Sequence, residues 1–163
     1  SKVGTLKNID ISNNGIQTLP NEIAGIKNLK YLHLGSNPTM DWKQAFGQIA
    51  NLKTLETLIL SSNELTDVAG EIKNLKQLKE LELGNNPALN LDGLFETLSS
   101  IQTLETLSLI DNQISSVSDN VAKLKNLKEL HFWMNDINLG SPEHNRVQEL
   151  LPQTRIAYMP RYF

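Results

Sequence analysis

The chain has 163 residues, of which 39% are hydrophobic and 20% charged, with a formal net charge of −3 and a pI near 5.6. The absence of cysteine excludes disulfides and cysteine-type zinc sites, and the acidic balance argues against a nucleic-acid-binding surface. No signal peptide or long apolar segment is present, so we expect no membrane insertion and one continuous core.

A leucine frame that ends in asparagine, L-x-x-L-x-L-x-x-N, repeats along the chain without a gap. Its last position is Asn14, Asn37, Asn63, Asn86, Asn112 and Asn135. Alternate residues of a short strand face opposite sides, so Leu32 and Leu34 are predicted to point into a core and His33 out of it. A side-chain amide both donates and accepts, so we expect each asparagine to bond the backbone of its own turn and of the next coil.

From Val3 to about Tyr158, these residues resemble the leucine-rich repeat family, whose signature this frame is. The resemblance implies an α/β right-handed solenoid, a horseshoe segment with a parallel β-sheet on the concave face and short helices or turns on the convex face. The segment Leu19–Ile23, Leu-Pro-Asn-Glu-Ile, is similar to bacterial and plant-type members. The family is defined by a scaffold and not by a reaction, so it implies binding rather than a particular chemistry.

The spacing of the frame predicts a second order of repetition. Its copies start at Leu6, Leu29, Leu55, Leu78, Leu104 and Leu127, so the steps alternate between 23 and 26 residues. We call each copy, with the residues up to the next, a coil. Residues 1–163 are predicted to form a single domain of three 49-residue double repeats at about 6–54, 55–103 and 104–152, with a C-terminal cap at 153–163. Val3 stands where the tail of an earlier coil would lie.

Parallel strands are predicted to begin near the six coil starts and near Arg155. The short first, third and fifth coils carry a turn or a short tight helix at 19–23, 68–72 and 117–121. The long coils carry α-helices at 41–52, 92–101 and 141–151, which open with Asp41, Asp92 and Ser141 as caps. Pro142 suits the first helical position of the last helix.

Side chains between and after the framework leucines form columns across the predicted concave face. This face is acidic from its middle onward and apolar toward its C-terminal end, whereas lysines lie along one edge at the strand starts. Such a separation suits a protein or peptide partner with a cationic contact surface; the alternative is a solvated charge pattern that keeps repeats soluble. The candidate partner-binding residues are Tyr31, His33, Glu80, Glu82, Ile110, Asp111, Glu129, His131, Trp133 and Met134.

Trp133 is the strongest candidate for a binding anchor, because tryptophan at an outward strand position is typical of interaction hot spots. The alternative is that the tail from Ile156 to Phe163 folds over Trp133 as part of the cap. Trp42 follows the helix-opening Asp41 and is expected to cover the convex side or a neighbouring coil.

The sequence predicts no catalytic, metal or cofactor site. His33 and His131 are four coils apart, which at about 4.8 Å per strand separates them by about 19 Å. The chain also has no glycine-rich phosphate loop, nucleophile elbow or H-E-x-x-H motif. Two functions remain: a non-catalytic protein-interaction module, and a structural or spacer segment of a larger protein. The lack of cysteine and of an Asn-x-Ser/Thr glycosylation sequon favours a bacterial cell-surface or secreted origin.

Overall fold

A computed structural model describes residues 5–158 and contains one seven-stranded parallel sheet whose strand order is the order of the sequence. The strands are β1 (Asn8–Asp10), β2 (Tyr31–His33), β3 (Thr57–Ile59), β4 (Glu80–Glu82), β5 (Thr106–Ser108), β6 (Glu129–His131) and β7 (Arg155–Ala157). The first six begin two residues after the leucine that opens each frame, and β7 begins at the predicted residue. Val3 and the aromatic end of the predicted cap lie outside the described residues.

Helices cover the opposite side of the sheet in the second, fourth and sixth coils, as predicted. They are α1 (Trp42–Ile49), α2 (Leu91–Leu98) and α3 (Pro142–Leu150). The other coils carry short 3₁₀ helices at Asn21–Gly25, Gly70–Asn74 and Asp119–Lys123. The predicted helix cap at Asp92 is wrong. Asn90 caps α2, because its side-chain oxygen accepts a hydrogen bond from the backbone N–H of Gly93, and Asp92 lies in the first turn.

One continuous apolar core lies between the sheet and the helices. The middle residue of each of the five strands β2 to β6 is a fully buried leucine, for example Leu32 and Leu81. The helices contribute their inner faces, with Phe46 from α1, Phe95 from α2 and Val147 from α3. Each coil buries its leucines only against its neighbours, which is why the frame has to repeat for the fold to be stable.

The framework asparagines link each coil to the one before it. Asn86 Oδ1 accepts hydrogen bonds from the backbone N–H groups of Asn63 and Leu65 at 3.1 and 3.0 Å. Its Nδ2 donates to the carbonyls of Leu60 in the third coil and Leu83 in its own. The five asparagines from Asn37 to Asn135 are buried, and each accepts from and donates to the backbone of the preceding coil. Asn37, Asn86 and Asn135 accept two such bonds, whereas Asn63 and Asn112 accept one.

The direction of these bonds differs from the prediction, which joined each asparagine to the next coil. Beyond the middle of each strand, backbone N–H groups donate to carbonyls of the following coil, as from Leu34 N to Ile59 O at 2.9 Å. Asparagine Oδ1 continues this row of acceptors past the end of the strand, where no backbone carbonyl is available. The amide therefore serves the coil that precedes it.

A left-handed residue turns the chain at the corner before each framework asparagine. The six residues are Asn13, Ser36, Ser62, Asn85, Asp111 and Met134, with φ between 53° and 61°. This conformation is uncommon for residues other than glycine and is tolerated best by asparagine and aspartate. The corner fixes where Asp111 and Met134 project, at the edge of the sheet. The division of the chain into three double repeats and a cap stays a prediction.

Candidate functional site

The outward face of the sheet carries the strand candidates in two straight columns, as predicted. Strand pairing aligns Tyr31, Thr57, Glu80, Thr106 and Glu129 in one column. The second column aligns His33, Ile59, Glu82, Ser108 and His131. His33 and His131 therefore stand four strands apart, and Glu82 stands midway between them. We call this surface the sheet face; it corresponds to the concave face of the predicted solenoid.

Beyond the strands, Ile110, Trp133 and Met134 lie together at the C-terminal end of the sheet face, and we call them the apolar patch. Asp111 N donates to Trp133 O at 2.9 Å, so the backbones that carry Ile110 and Trp133 are hydrogen-bonded neighbours. Met134 is 51% exposed, and Ile110 and Trp133 are partly exposed. The ring of His131 stacks on Trp133 with 5.8 Å between centroids and 25° between planes.

The other coils show that the fold does not need a large residue at position 133. The equivalent residues of the second and fourth coils are Gly35 and Gly84. A Cβ at Gly35 would lie 2.8 Å from Nε2 of His33, and one at Gly84 would lie 3.1 Å from the carbonyl oxygen of Ile110. At Trp133 the imidazole of the preceding histidine instead stacks on the indole.

Ile110 and Met134 depart from the repeat in the same way. Ile110 replaces Ser12 and Ser61 of the first and third coils, and Met134 replaces a small polar residue at its corner. All three members of the apolar patch thus stand where the earlier coils of the same length carry glycine, serine or asparagine. The patch is a local addition to a regular scaffold.

Glu129 lies beside the patch in a short network of charged groups. Its carboxylate is 3.1 Å from Nε2 of His131 and 3.3 Å from Nη1 of Arg155. The hydrogen bond with His131, and then that with Arg155, holds the pKa of Glu129 below its ordinary value. Arg155 follows Glu129 in the column and was missed as a site residue, although extending the column by one coil would have found it. It makes this end of the face less acidic than predicted.

Glu80 and Glu82 form an acidic pair at the centre of the sheet face. Glu80 accepts a hydrogen bond from Thr57 Oγ1 at 3.2 Å. Burial raises the pKa of Glu82 above its ordinary value, and the charge of Glu80 adds to this. Among residues 5–158, neither carboxylate forms a salt bridge with a lysine or arginine. The pair therefore presents negative charge that the described part of the chain does not neutralise.

Tyr31 and His33 form a separate group, two strands from Glu80 and Glu82. Nδ1 of His33 lies 3.3 Å from Asp10 Oδ1, and its ring meets Tyr31 edge-on at 6.4 Å. Ser12 also donates to Asp10, and these hydrogen bonds lower the pKa of Asp10. These residues are three to four strands from the apolar patch, so the ten candidates form one surface but not one cluster.

The predicted lysine edge is partly neutralised. The residues directly before five successive strands are Lys30, Glu56, Lys79, Glu105 and Lys128, in alternating charge. Glu56 bonds Lys30 at 2.5 Å and Lys79 at 2.8 Å, and Glu105 bonds Lys128 at 2.8 Å. Hydrogen bonds from the two lysines lower the pKa of Glu56 to about 2. This row, which we call the edge ladder, connects coils and reduces the charge separation expected from sequence.

The aromatic rings of Tyr158 and Trp42 are partly buried and pack against the apolar core. Tyr158 packs against Phe132 at 6.0 Å and edge-on against His144 at 4.6 Å. Its ring thus contacts the core and α3, and burial raises its pKa to about 12. The rest of the tail predicted to cover Trp133 lies outside the described residues. Trp42 packs on Phe46 at 5.7 Å on the helical side, as predicted.

Two features are absent from residues 5–158, the part of the chain that the structure describes. That segment contains no group of three or more His, Cys, Asp or Glu side chains that could hold a metal ion. Within the same segment, no helix is both long and apolar enough to cross a membrane.

Solved structures with the same architecture come from bacteria and from an insect. A leucine-rich repeat protein of Leptospira interrogans is 26% identical with a TM-score of 0.59; the match covers 94% of this chain and 49% of that one. The internalin InlF of Listeria monocytogenes is 18% identical with a TM-score of 0.68, covering 96% and 42%. A chain of the Drosophila Toll–Spätzle complex is 21% identical with a TM-score of 0.68, covering 86% and 18%. This chain therefore spans half or less of each of these structures.

The sequence matches no curated protein. It does match the model of a leucine-rich repeat region over residues 1–139, which is most of the chain. The framework leucines, the buried asparagines and the parallel sheet agree with that match. The chain belongs to the leucine-rich repeat family.

Proposed function

We propose that this chain is a non-catalytic protein-binding module whose partner docks on the sheet face, centred on the apolar patch. The leucine-rich repeat is generally an interaction fold without enzymatic activity, which supports the coarse assignment. The placement of the partner on the apolar patch rests on one observation, the replacement of glycine and serine by Trp133 and Ile110. A residue that the scaffold does not require, and that exposes apolar surface, is best explained by a partner that covers it.

The charges around the patch support a partner with a cationic contact surface. Glu80 and Glu82 lie toward the middle of the same face, and Glu82 is half-buried without a cationic partner among the described residues. A lysine or arginine from a partner would offset this cost of desolvation. Glu129 contributes less, because Arg155 and His131 already pair with it. Charges at such a rim act mainly on the association rate.

A selection from displayed random peptides tests the proposal. Peptides selected on the unaltered protein are measured against Trp133→Gly, which restores the residue of the second and fourth coils. We expect affinity to fall by about 30-fold, equivalent to about 2 kcal/mol for a hot-spot residue. Leu139→Ala is the matched control, because Leu139 is 68% exposed and lies off the sheet. Its affinity should stay unchanged.

The charge contribution is tested on the same peptides. Glu82→Lys should slow association and weaken its dependence on salt, with a smaller effect on dissociation. Equal binding to the unaltered protein and to Trp133→Gly would contradict the proposed centre of the site.

The alternative function is a structural or spacer segment of a larger protein, within a bacterial surface or secreted context. The likeness to proteins of Leptospira and Listeria and the partial coverage of both structures support this context. A spacer predicts that no peptide is enriched on the sheet face and that substitutions at Trp133 and Glu82 leave every measured interaction unchanged.

A further inference from the structure

Met134 is the most exposed member of the apolar patch and sits at an unusual place for its type. Its backbone is left-handed, with φ 58°, and 51% of its surface is exposed. The same corner of the five preceding coils carries only short polar residues, Asn13, Ser36, Ser62, Asn85 and Asp111. Short polar side chains suit a left-handed corner, so the turn itself does not require a long thioether.

The chemistry of an exposed thioether differs from that of any other apolar side chain. Its sulfur attacks the outer oxygen of a peroxide, so that an S–O bond forms as the O–O bond breaks. Sulfur loses two electrons, and the proton of the transferred hydroxyl passes to the departing hydroxide, so that the products are a sulfoxide and water. The product is polar and chiral, which disrupts methionine-containing interfaces, and sulfoxide reductases reverse it.

We propose that Met134 is an oxidation site at which conversion to the sulfoxide by a peroxide weakens binding to the apolar patch. The proposal rests on the function proposed above, because it assigns a regulatory chemistry to the same surface. The oxidised side chain would give this corner the polarity of the equivalent corners in the other coils. Ile110 and Trp133 would then border a polar group instead of continuing into an apolar one.

Met40 provides an internal comparison. It is 5% exposed and belongs to the apolar core, so a peroxide reaches it only when the fold opens. Methionine oxidation follows exposure of the sulfur, and the two residues should therefore react at different rates. The chain has three methionines, and the third, Met159, is removed from the comparison by Met159→Leu.

The first experiment measures the chemistry. The Met159→Leu protein is treated with hydrogen peroxide, quenched at intervals and digested, and the sulfoxide at each methionine is measured by mass spectrometry. We expect Met134 to react at least about tenfold faster than Met40, because the rate follows exposure. The same treatment in a denaturant should remove the difference. Equal rates in the folded protein would overturn the proposal.

The second experiment measures binding, with a displayed peptide selected on the unoxidised protein. Conversion of Met134 should lower its affinity about fivefold or more, and methionine sulfoxide reductase should restore it. Met134→Leu should bind this peptide with the same affinity before and after peroxide. If affinity is unchanged when Met134 is fully oxidised, or if peroxide lowers the affinity of Met134→Leu equally, the proposed role of Met134 is wrong. The proposed function is not affected by either result. The absence of any Trp133-dependent peptide before oxidation overturns the proposed function and, with it, this effect on binding.

Discussion

The imidazole of His131 stacks on the indole of Trp133, whereas the imidazole of His33 lies over Gly35. The two histidines hold the same position two double coils apart, and the residue two places later decides where each ring lies. This position of the repeat can therefore hold a tryptophan, because the ring of the histidine two residues earlier is placed differently. Trp133 changes the surface without changing the register of the strands.

The first prediction concerns the stability of Trp133→Gly. If Trp133 is a surface anchor, glycine should lower the free energy of unfolding by about 1 kcal/mol or less, because glycine loses more conformational freedom on folding than other residues. If the tail packs over it as a cap, loss of a buried aromatic should cost about 3–5 kcal/mol. Urea denaturation at one pH separates these values. A large loss of stability would end the anchor interpretation, whatever the effect on binding.

The second prediction concerns the buried asparagines. Asn86→Ala should destabilise the protein by about 1–3 kcal/mol, because backbone groups of Asn63 and Leu65 lose their acceptor in a buried place. Asn14 is the matched control, since it is exposed and its Nδ2 donates to Ser12 O in its own coil. Asn14→Ala should stay within about 0.5 kcal/mol of the unaltered protein. Equal losses at both positions would show that burial does not decide the effect.

The third prediction is a pH dependence that arises from the edge ladder. The folded state lowers the pKa of Glu56 to about 2 from an ordinary value of 4.5. Its contribution to stability is therefore present above pH 4.5 and is lost as the pH falls toward 2. Glu56→Gln should be less stable than the unaltered protein at pH 6, and this difference should shrink at pH 3 and in high salt. Glu71→Gln, an exposed residue of a 3₁₀ helix, is the control. A stability difference between Glu56→Gln and the unaltered protein that stays constant with pH would contradict the lowered pKa of Glu56.

The fourth prediction has the opposite sign and concerns Glu82. Burial and the charge of Glu80 raise its folded pKa, so the folded state binds a proton more tightly than the unfolded chain. The stability linked to this proton is present at low pH and is lost as the pH rises from 4.5 through the folded pKa. Glu82→Gln should therefore raise the midpoint of urea denaturation at pH 7. The gain should shrink at pH 4, and its absence at pH 7 would show that Glu82 is well solvated.

The sequence predicted the fold well because each feature was repeated. Leu32 and Leu81 were assignable to the core from the frame alone, and helices in alternate coils followed from the alternating coil lengths. The cap of α2 was missed because Asn90 and Asp92 are both good helix caps two residues apart, and local preference could not choose between them.

The candidate site was less accessible from sequence. Columns on the sheet face followed from strand alternation, but the partners of the charges did not. Glu56 lies between two lysines that are 49 residues apart in sequence, and only the stacking of coils brings them to one carboxylate. Arg155 reaches Glu129 in the same way. The binding role of the ten candidate residues stays a prediction.

Because each asparagine amide reaches toward the preceding coil, the two sides of an opened coil are left with different unsatisfied groups. When a coil is lost from the N-terminal side, the next asparagine keeps the hydrogen bonds to its own coil, as Asn14 does with Ser12. When a coil is lost from the C-terminal side, the preceding coil loses the acceptor of its backbone N–H, as Asn112 would lose Asn135 Oδ1. Separating any two coils therefore breaks the same bonds, but backbone N–H groups lose their side-chain acceptor only in the coil that precedes the asparagine. Native-state hydrogen exchange of Asn135→Ala should then show lost protection at the amides of Asn112 and Ile114, one coil before the substituted residue.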